Sequence, residues 1–200
     1  MEKVIKRAVE EGSKKNPNKH EKYRWFYTSS KKLVIGGKNA LQNEELIKEL
    51  LKSGKEYVVM HTKTPGSPFS IIESDSIDEK DLEEAAIFTA CFSRAWKERK
   101  TKTQVDIFKT SQIVKKKGMK LGTFGVLGRI NSKTSELKLY LSKQKNKLRA
   151  IPYKTKNALC ILPGNINKVE IAEQIAEKLK VSFEEALQAL PTGESKICSQ

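Results

Sequence analysis

His61, Lys63, Thr64 and Ser67 fall within one short stretch, His61-Thr62-Lys63-Thr64-Pro65-Gly66-Ser67-Pro68. An imidazole, an ammonium and hydroxyls at this spacing suit two chemistries. They can supply parts of an acyl- or phosphoryl-transfer site, or they can hold a phosphate beside an unpaired base. A catalytic set needs a nucleophile, a base and an electrostatic stabiliser in one place. The second histidine, His20, lies far away in a polar run that reads as exposed, and no acidic pair sits near the loop. No catalytic residue is therefore assigned. Binding asks for less. Backbone N–H groups near Gly66 and Ser67, with Lys63, can hold a phosphate, and His61 can stack on or hydrogen-bond to an unpaired base. Two prolines and a glycine set the path of the loop.

Gly36-Gly37-Lys38 invites a phosphate-loop reading. That motif requires a glycine five residues before the Gly-Lys pair and Ser or Thr after it, and Lys32 and Asn39 stand there instead. A glycine pair leading into a helix start at Asn39 still exposes N–H groups to an anion. Gly118, Gly122, Gly125 and Gly128 recur irregularly and open no helix, so they are no dinucleotide fingerprint. Cys91, Cys160 and Cys198 are scattered without metal spacing and read as free thiols of a reducing cytoplasm. No metal or cofactor is expected. No apolar run approaches the ~20 residues of a membrane span.

The elements that must position these residues follow from periodicity. Tyr23–Tyr27 and Leu33–Ile35 flank a polar turn and read as a hairpin, with Tyr23, Trp25 and Tyr27 on one face and Arg24, Phe26 and Thr28 on the other. Arg24 beside an aromatic face can stack bases, whereas Trp25 and Phe26 suit core packing. Asn39 and Gln42 form a capping pair for a helix ending at Gly54. Ser76 and Glu79 read as a capping box for a second helix through the apolar Ala85–Phe92. The acids at its start suit the positive helix end rather than a metal. Strands follow to Leu141. The expected fold is α+β: a mixed, mainly antiparallel sheet with two principal helices, about 39–52 and 77–98, and a C-terminal helical hairpin appendage. The expected organisation is an N-terminal helix and linker (1–22), a domain over 23–141, a basic connector with a strand-helix-helix appendage (142–193) and a disordered tail (194–200).

The net charge of +15 is concentrated. Residues 93–156 hold nineteen Lys/Arg against three Asp/Glu, and residues 23–92 hold nine against eleven. A surface kept soluble by charge mixes both signs, and this segment does not, so a polyanion partner is expected. Lys97, Lys100, Lys102, Lys115, Lys116, Lys117 and Arg129 are the candidate phosphate contacts. The second helix of the C-terminal hairpin, Phe183–Leu190, carries two acids and no base, which excludes it as a duplex reader.

The order of aromatic hairpin, Leu33–Glu44 (LVIGGKNALQNE), His61–Phe69 and Ser93-Arg94-Ala95-Trp96 resembles the NFACT-R family. The likeness runs from about Tyr23 to Leu141. That family is the RNA-binding module of large ribosome-associated quality-control proteins and also occurs as short stand-alone proteins. The NFACT-N and coiled-coil regions of the large members are not in these residues, so their peptide-tailing activity is not carried over. The resemblance implies RNA as partner, tRNA or rRNA and through it the ribosome, in translation, quality control or RNA processing, in the cytoplasm and without membrane. An enzyme acting on RNA or aminoacyl-RNA through the His61–Ser67 loop, and a ribosome-bound adaptor, stay open beside it. The expected RNA contacts are Arg24, Lys38, Asn39, Asn43, His61, Lys63, Gly66, Ser67, Ser93, Arg94 and Trp96, with the basic residues named above.

Overall fold

The computed structural model describes residues 19–198. The helix expected around Val4, Ile5, Ala8 and Val9 lies outside them. Among the described residues the fold is α+β, with antiparallel sheets throughout.

Strands β1 (Arg24–Tyr27) and β2 (Leu33–Gly36) form the expected hairpin. With β3 (Val58–Thr62), β4 (Ser70–Ile72), β5 (Lys102–Lys109) and β8 (Asn131–Glu136) they make a six-stranded sheet of order β1-β2-β4-β3-β5-β8. Its register aligns Trp25, Ile35, Ile71, Val59 and Phe108 in one row across five strands. That face receives α1 (Ala40–Ser53) through Leu46, Ile47 and Leu50. Asn39 caps α1 as expected, its Oδ1 accepting from the Gln42 N–H, and Gly54 closes it in the left-handed region at φ 65°. The opposite face carries Phe26, Val34, Met60, Ile72 and Val105 and receives α2 (Glu79–Cys91). Phe88 packs 4.8 Å from Phe26 and comes so close to Gly36 that a Cβ there would stand 3.3 Å from its ring.

The second helix departs from expectation at both ends. Its capping box is Asp78 with Asp81, not Ser76 with Glu79. Asp81 wins because its carboxylate also takes the Ser30 hydroxyl of the hairpin turn. The helix then breaks, and α3 (Arg94–Lys97) is a separate turn. Ser93 causes the break: its Oγ donates to the Ala90 carbonyl at 2.7 Å and accepts from the Ala95 N–H at 3.1 Å, replacing ladder bonds by side-chain ones.

The region expected as connector and tail is more ordered than its composition suggests. Strands β9 (Leu139–Gln144), β10 (Lys147–Ile151), β11 (Leu159–Ile166) and β12 (Ser195–Ile197) form a second sheet of order β10-β9-β11-β12. Residues 142–156 thus contain a strand, and the tail contributes an edge strand. Helices α4 (Lys168–Leu179) and α5 (Phe183–Ala189) form the expected hairpin, capped by Asn167 and Ser182. They share one apolar cluster with α2 and the second sheet, through Leu139, Leu141, Leu148, Ile161, Ile171 and Ile175. A disulfide joins Cys160 to Cys198, correcting the expectation of three free thiols; Cys91 is free and buried. A two-stranded ribbon, β6 (Ile113–Val114) and β7 (Gly125–Val126), completes the described elements. No helix among the described residues is long and apolar enough to cross a membrane.

Candidate nucleic-acid interface

The loop after β3 is held by its own polar groups. Thr62 N–H donates to Ser67 Oγ at 2.9 Å, Ser67 Oγ donates to the Pro68 carbonyl at 3.1 Å, and Thr62 Oγ1 donates to the Thr64 carbonyl at 2.6 Å. Asn43, buried in α1, clamps the far side: its Nδ2 donates to the Ser67 carbonyl at 3.4 Å and its Oδ1 accepts from Phe69 N–H at 3.1 Å. Gly37 permits this clamp, since a Cβ there would lie 2.2 Å from Asn43 Oδ1. Gly66, at φ 108°, gives its carbonyl to the Arg94 N–H at 2.8 Å and so seats α3 against the loop. Asn43, Ser67 and Gly66 are therefore scaffold. The Ser67 hydroxyl both donates and accepts within the loop and is not presented as a nucleophile.

The scaffold opens a cleft of about 670 Å³. Eleven of the expected residues line it: Arg24, Lys38, Asn39, Asn43, His61, Lys63, Gly66, Ser67, Ser93, Arg94 and Lys97. His61 is half-buried and stacks on Phe69 with ring centroids 4.6 Å apart. Its Nδ1 lies 2.7 Å from the Thr62 carbonyl, which makes Nδ1 the donor and leaves Nε2 an acceptor. Burial pushes its pKa below the ordinary histidine value, against the opposing effects of the Thr62 carbonyl and Asp106. The ring is thus neutral at pH 7 and suited to a base edge rather than a phosphate. Arg24 stacks over Phe92 at 4.7 Å, and burial lowers its pKa to about 10. None of Arg24, Lys38, Lys63, Arg94 and Lys97 forms an ion pair among the described residues.

Seven expected contacts lie elsewhere. Trp96 is fully buried, its Nε1 donating to Ser195 Oγ at 3.1 Å, so it has no face to offer a base. Lys115 is turned inward. Its Nζ reaches Glu44 at 2.7 Å and the Lys120 and Thr123 carbonyls at 2.9 Å each, above the Phe124 ring. Gly122 N–H also donates to Glu44 at 2.8 Å, and its φ of 70° lets the loop lie on the start of α1, where a Cβ would come 2.6 Å from the Ala40 carbonyl. Lys115 therefore builds the cleft wall containing Leu121, Gly122 and Phe124. Lys100 pairs with Glu98, and Lys102, Lys116, Lys117 and Arg129 are exposed away from the lining. His20, expected in the open, is half-buried and edge-on to Trp25 at 5.0 Å. Sequence reasoning missed Phe92, Asp106, Leu121 and Ile130 as lining. Leu121 and Ile130 stand in a glycine-rich run among other apolar residues, so the sequence alone did not single them out, and only the fold shows them exposed.

Comparison with known proteins agrees with the early resemblance. The archaeal Rqc2 homolog aRqcH of Methanocaldococcus jannaschii is 29% identical over 197 residues, 89% of this chain and 29% of that protein. The ribosome quality control complex subunit NEMF of Homo sapiens is 35% identical over 82 residues, 40% of this chain and 7% of that one. The chain thus spans less than a third of the length of the curated relatives it matches. Among solved structures, the C-terminal part of the fibronectin/fibrinogen-binding protein from Streptococcus suis shares the fold at a TM-score of 0.51 and 23% identity, covering 57% of this chain and 45% of that one. Residues 22–128 match the family model of the NFACT protein RNA binding domain, and the chain belongs to that family.

Proposed function

We propose that this chain binds RNA in the cleft between α1, the β3–β4 loop and α3, taking an unpaired stretch of tRNA or rRNA. The observation that carries this is the cleft's lining: a neutral, stacked imidazole shares it with five cations that form no ion pair among the described residues. Unpaired cations suit phosphates, and a neutral ring with a free Nε2 suits a splayed base. The family's description and the quality-control relatives point the same way and support a role at the ribosome. Binding is measured by fluorescence anisotropy with tRNA, ribosomes and duplex DNA. Expected is salt-dependent binding to tRNA or ribosomes, weakened by Lys63→Ala while the melting temperature hardly moves, and weakened by His61→Ala with some loss of melting temperature because the ring packs on Phe69. Wild-type binding by both variants would remove the cleft from the interface.

A further inference from the structure

Arg24 and Lys38 line a second cleft as well, of about 370 Å³. Its other wall includes Lys147, Arg149, Ser182 and Gln188, all beyond the segment matched by the family model. Arg149 stacks over the Trp25 ring at 4.2 Å, and its Nε is buried without a partner. Lys168, the first residue of α4, is half-buried and feels the charge of Arg24. Burial and neighbouring cations depress the pKa values of Lys38 and Lys168: Arg24 and Arg149 act on Lys38, Arg24 on Lys168. Arg24, Lys38 and Lys168 form no ion pair among the described residues.

Glu21, Glu184 and Glu185 also line this cleft, and two of them are engaged. Glu21 holds Lys147 at 2.5 Å, Glu185 accepts from Leu148 N–H at 2.5 Å, and Glu184 is exposed. Two guanidiniums are thus propped on aromatic rings along one lining with Lys38, and Glu21 and Glu185 only partly offset the charge of Arg149, whose Nε keeps no partner. Such an arrangement is stabilised by a multivalent anion, and guanidinium forks match phosphate oxygens in two-point contacts.

We propose that Arg24, Lys38 and Arg149 form a phosphodiester seam, carrying the RNA backbone out of the first cleft and onto the C-terminal unit. This rests on the RNA-binding reading above. It extends the interface beyond the family-matched segment and ties the second sheet to recognition.

The test uses the full chain with single-stranded RNAs of about four and about twelve nucleotides. Arg149→Gln removes a guanidinium of the seam, Gln188→Glu places a carboxylate at an exposed position of the same lining, and thermal melting checks both. Each should weaken binding of the longer RNA on the order of tenfold, the size of one charge-assisted contact. The log–log salt slope should shrink by about 0.7 per lost phosphate contact, and the shorter RNA should bind as before. Wild-type binding of the longer RNA by both variants, with Lys63→Ala still impaired, would overturn the seam and leave the first cleft standing. Failure of the unmodified chain to bind either RNA would overturn both.

Discussion

Two regions of this molecule depart from their own composition in opposite directions. Residues 93–156 carry the charge excess, yet five of their cations are engaged in ion pairs: Arg99 with Glu194, Lys100 with Glu98, Lys115 with Glu44, Lys133 with Glu79 and Lys147 with Glu21. Four of those carboxylates come from outside the segment. Residues 23–92 are slightly acidic, yet they supply Arg24, Lys38 and Lys63, which line the cleft without ion-pair partners. A run of like charge marks a polyanion surface only where the fold leaves it unpaired. Here the fold spends part of the run on its own architecture and exposes cations from a segment whose count looked unpromising.

The largest effect expected from this contrast is at Lys115. Lys115→Ala leaves the buried Glu44 carboxylate with only Lys48 and the Gly122 N–H, and should cost about 2 kcal/mol in chemical denaturation. Equal stability of wild type and variant would show that the wall does not depend on this pair. The same carboxylate sets an acid limit. Lys115 first, then the Gly122 N–H and Lys48, hold the Glu44 pKa at about 2, below the ordinary value of 4.5. A depressed carboxylate contributes stability in full above about pH 4.5, and the contribution is lost as pH falls toward 2. Glu44→Gln should therefore flatten stability against pH within that window, measured by denaturant midpoints at successive pH values.

A smaller effect is expected in the cleft. Lys63→Ala should weaken RNA binding by about tenfold at low salt, with stability changed by less than about 0.5 kcal/mol, because the side chain is exposed and unpaired. The smallest concerns the neighbours of Lys115. Lys116→Ala and Lys117→Ala should each lie within about 0.5 kcal/mol of wild type in stability, since both side chains are exposed. Three consecutive lysines would then split into one structural residue and two surface ones.

Local signals in the chain were readable to the extent that one residue pattern had one use. Asn39 with Gln42, the Gly54 stop and the β1–β2 hairpin each had a single structural reading, and each stands. The start of α2 was read as Ser76 with Glu79, and Asp78 with Asp81 holds it instead, where Asp81 also takes the hydroxyl of the distant Ser30. The break at Ser93 was hidden because Ser-Arg-Ala-Trp continues a helical pattern well enough by composition. Trp96 was expected to contact RNA, but β12, almost a hundred positions later, supplies Ser195 to its indole. The Glu44–Lys115 pair spans 71 positions, and Arg24 meets Phe92 across the fold. Such partners follow from strand order, which the charge run and the glycine spacing do not encode.

The central claim is that unpaired cleft cations, rather than the basic run as a whole, hold RNA. Its most direct test is the salt slope of single-stranded RNA binding for two triple variants of equal charge change. One replaces Lys38, Lys63 and Lys97 by glutamate, and the other replaces Lys102, Lys116 and Lys117. The cleft variant should lose most of its affinity and about 2 from the log–log slope, at about 0.7 per phosphate contact, while the second stays close to wild type. The reverse order, or equal losses in both, would contradict the account.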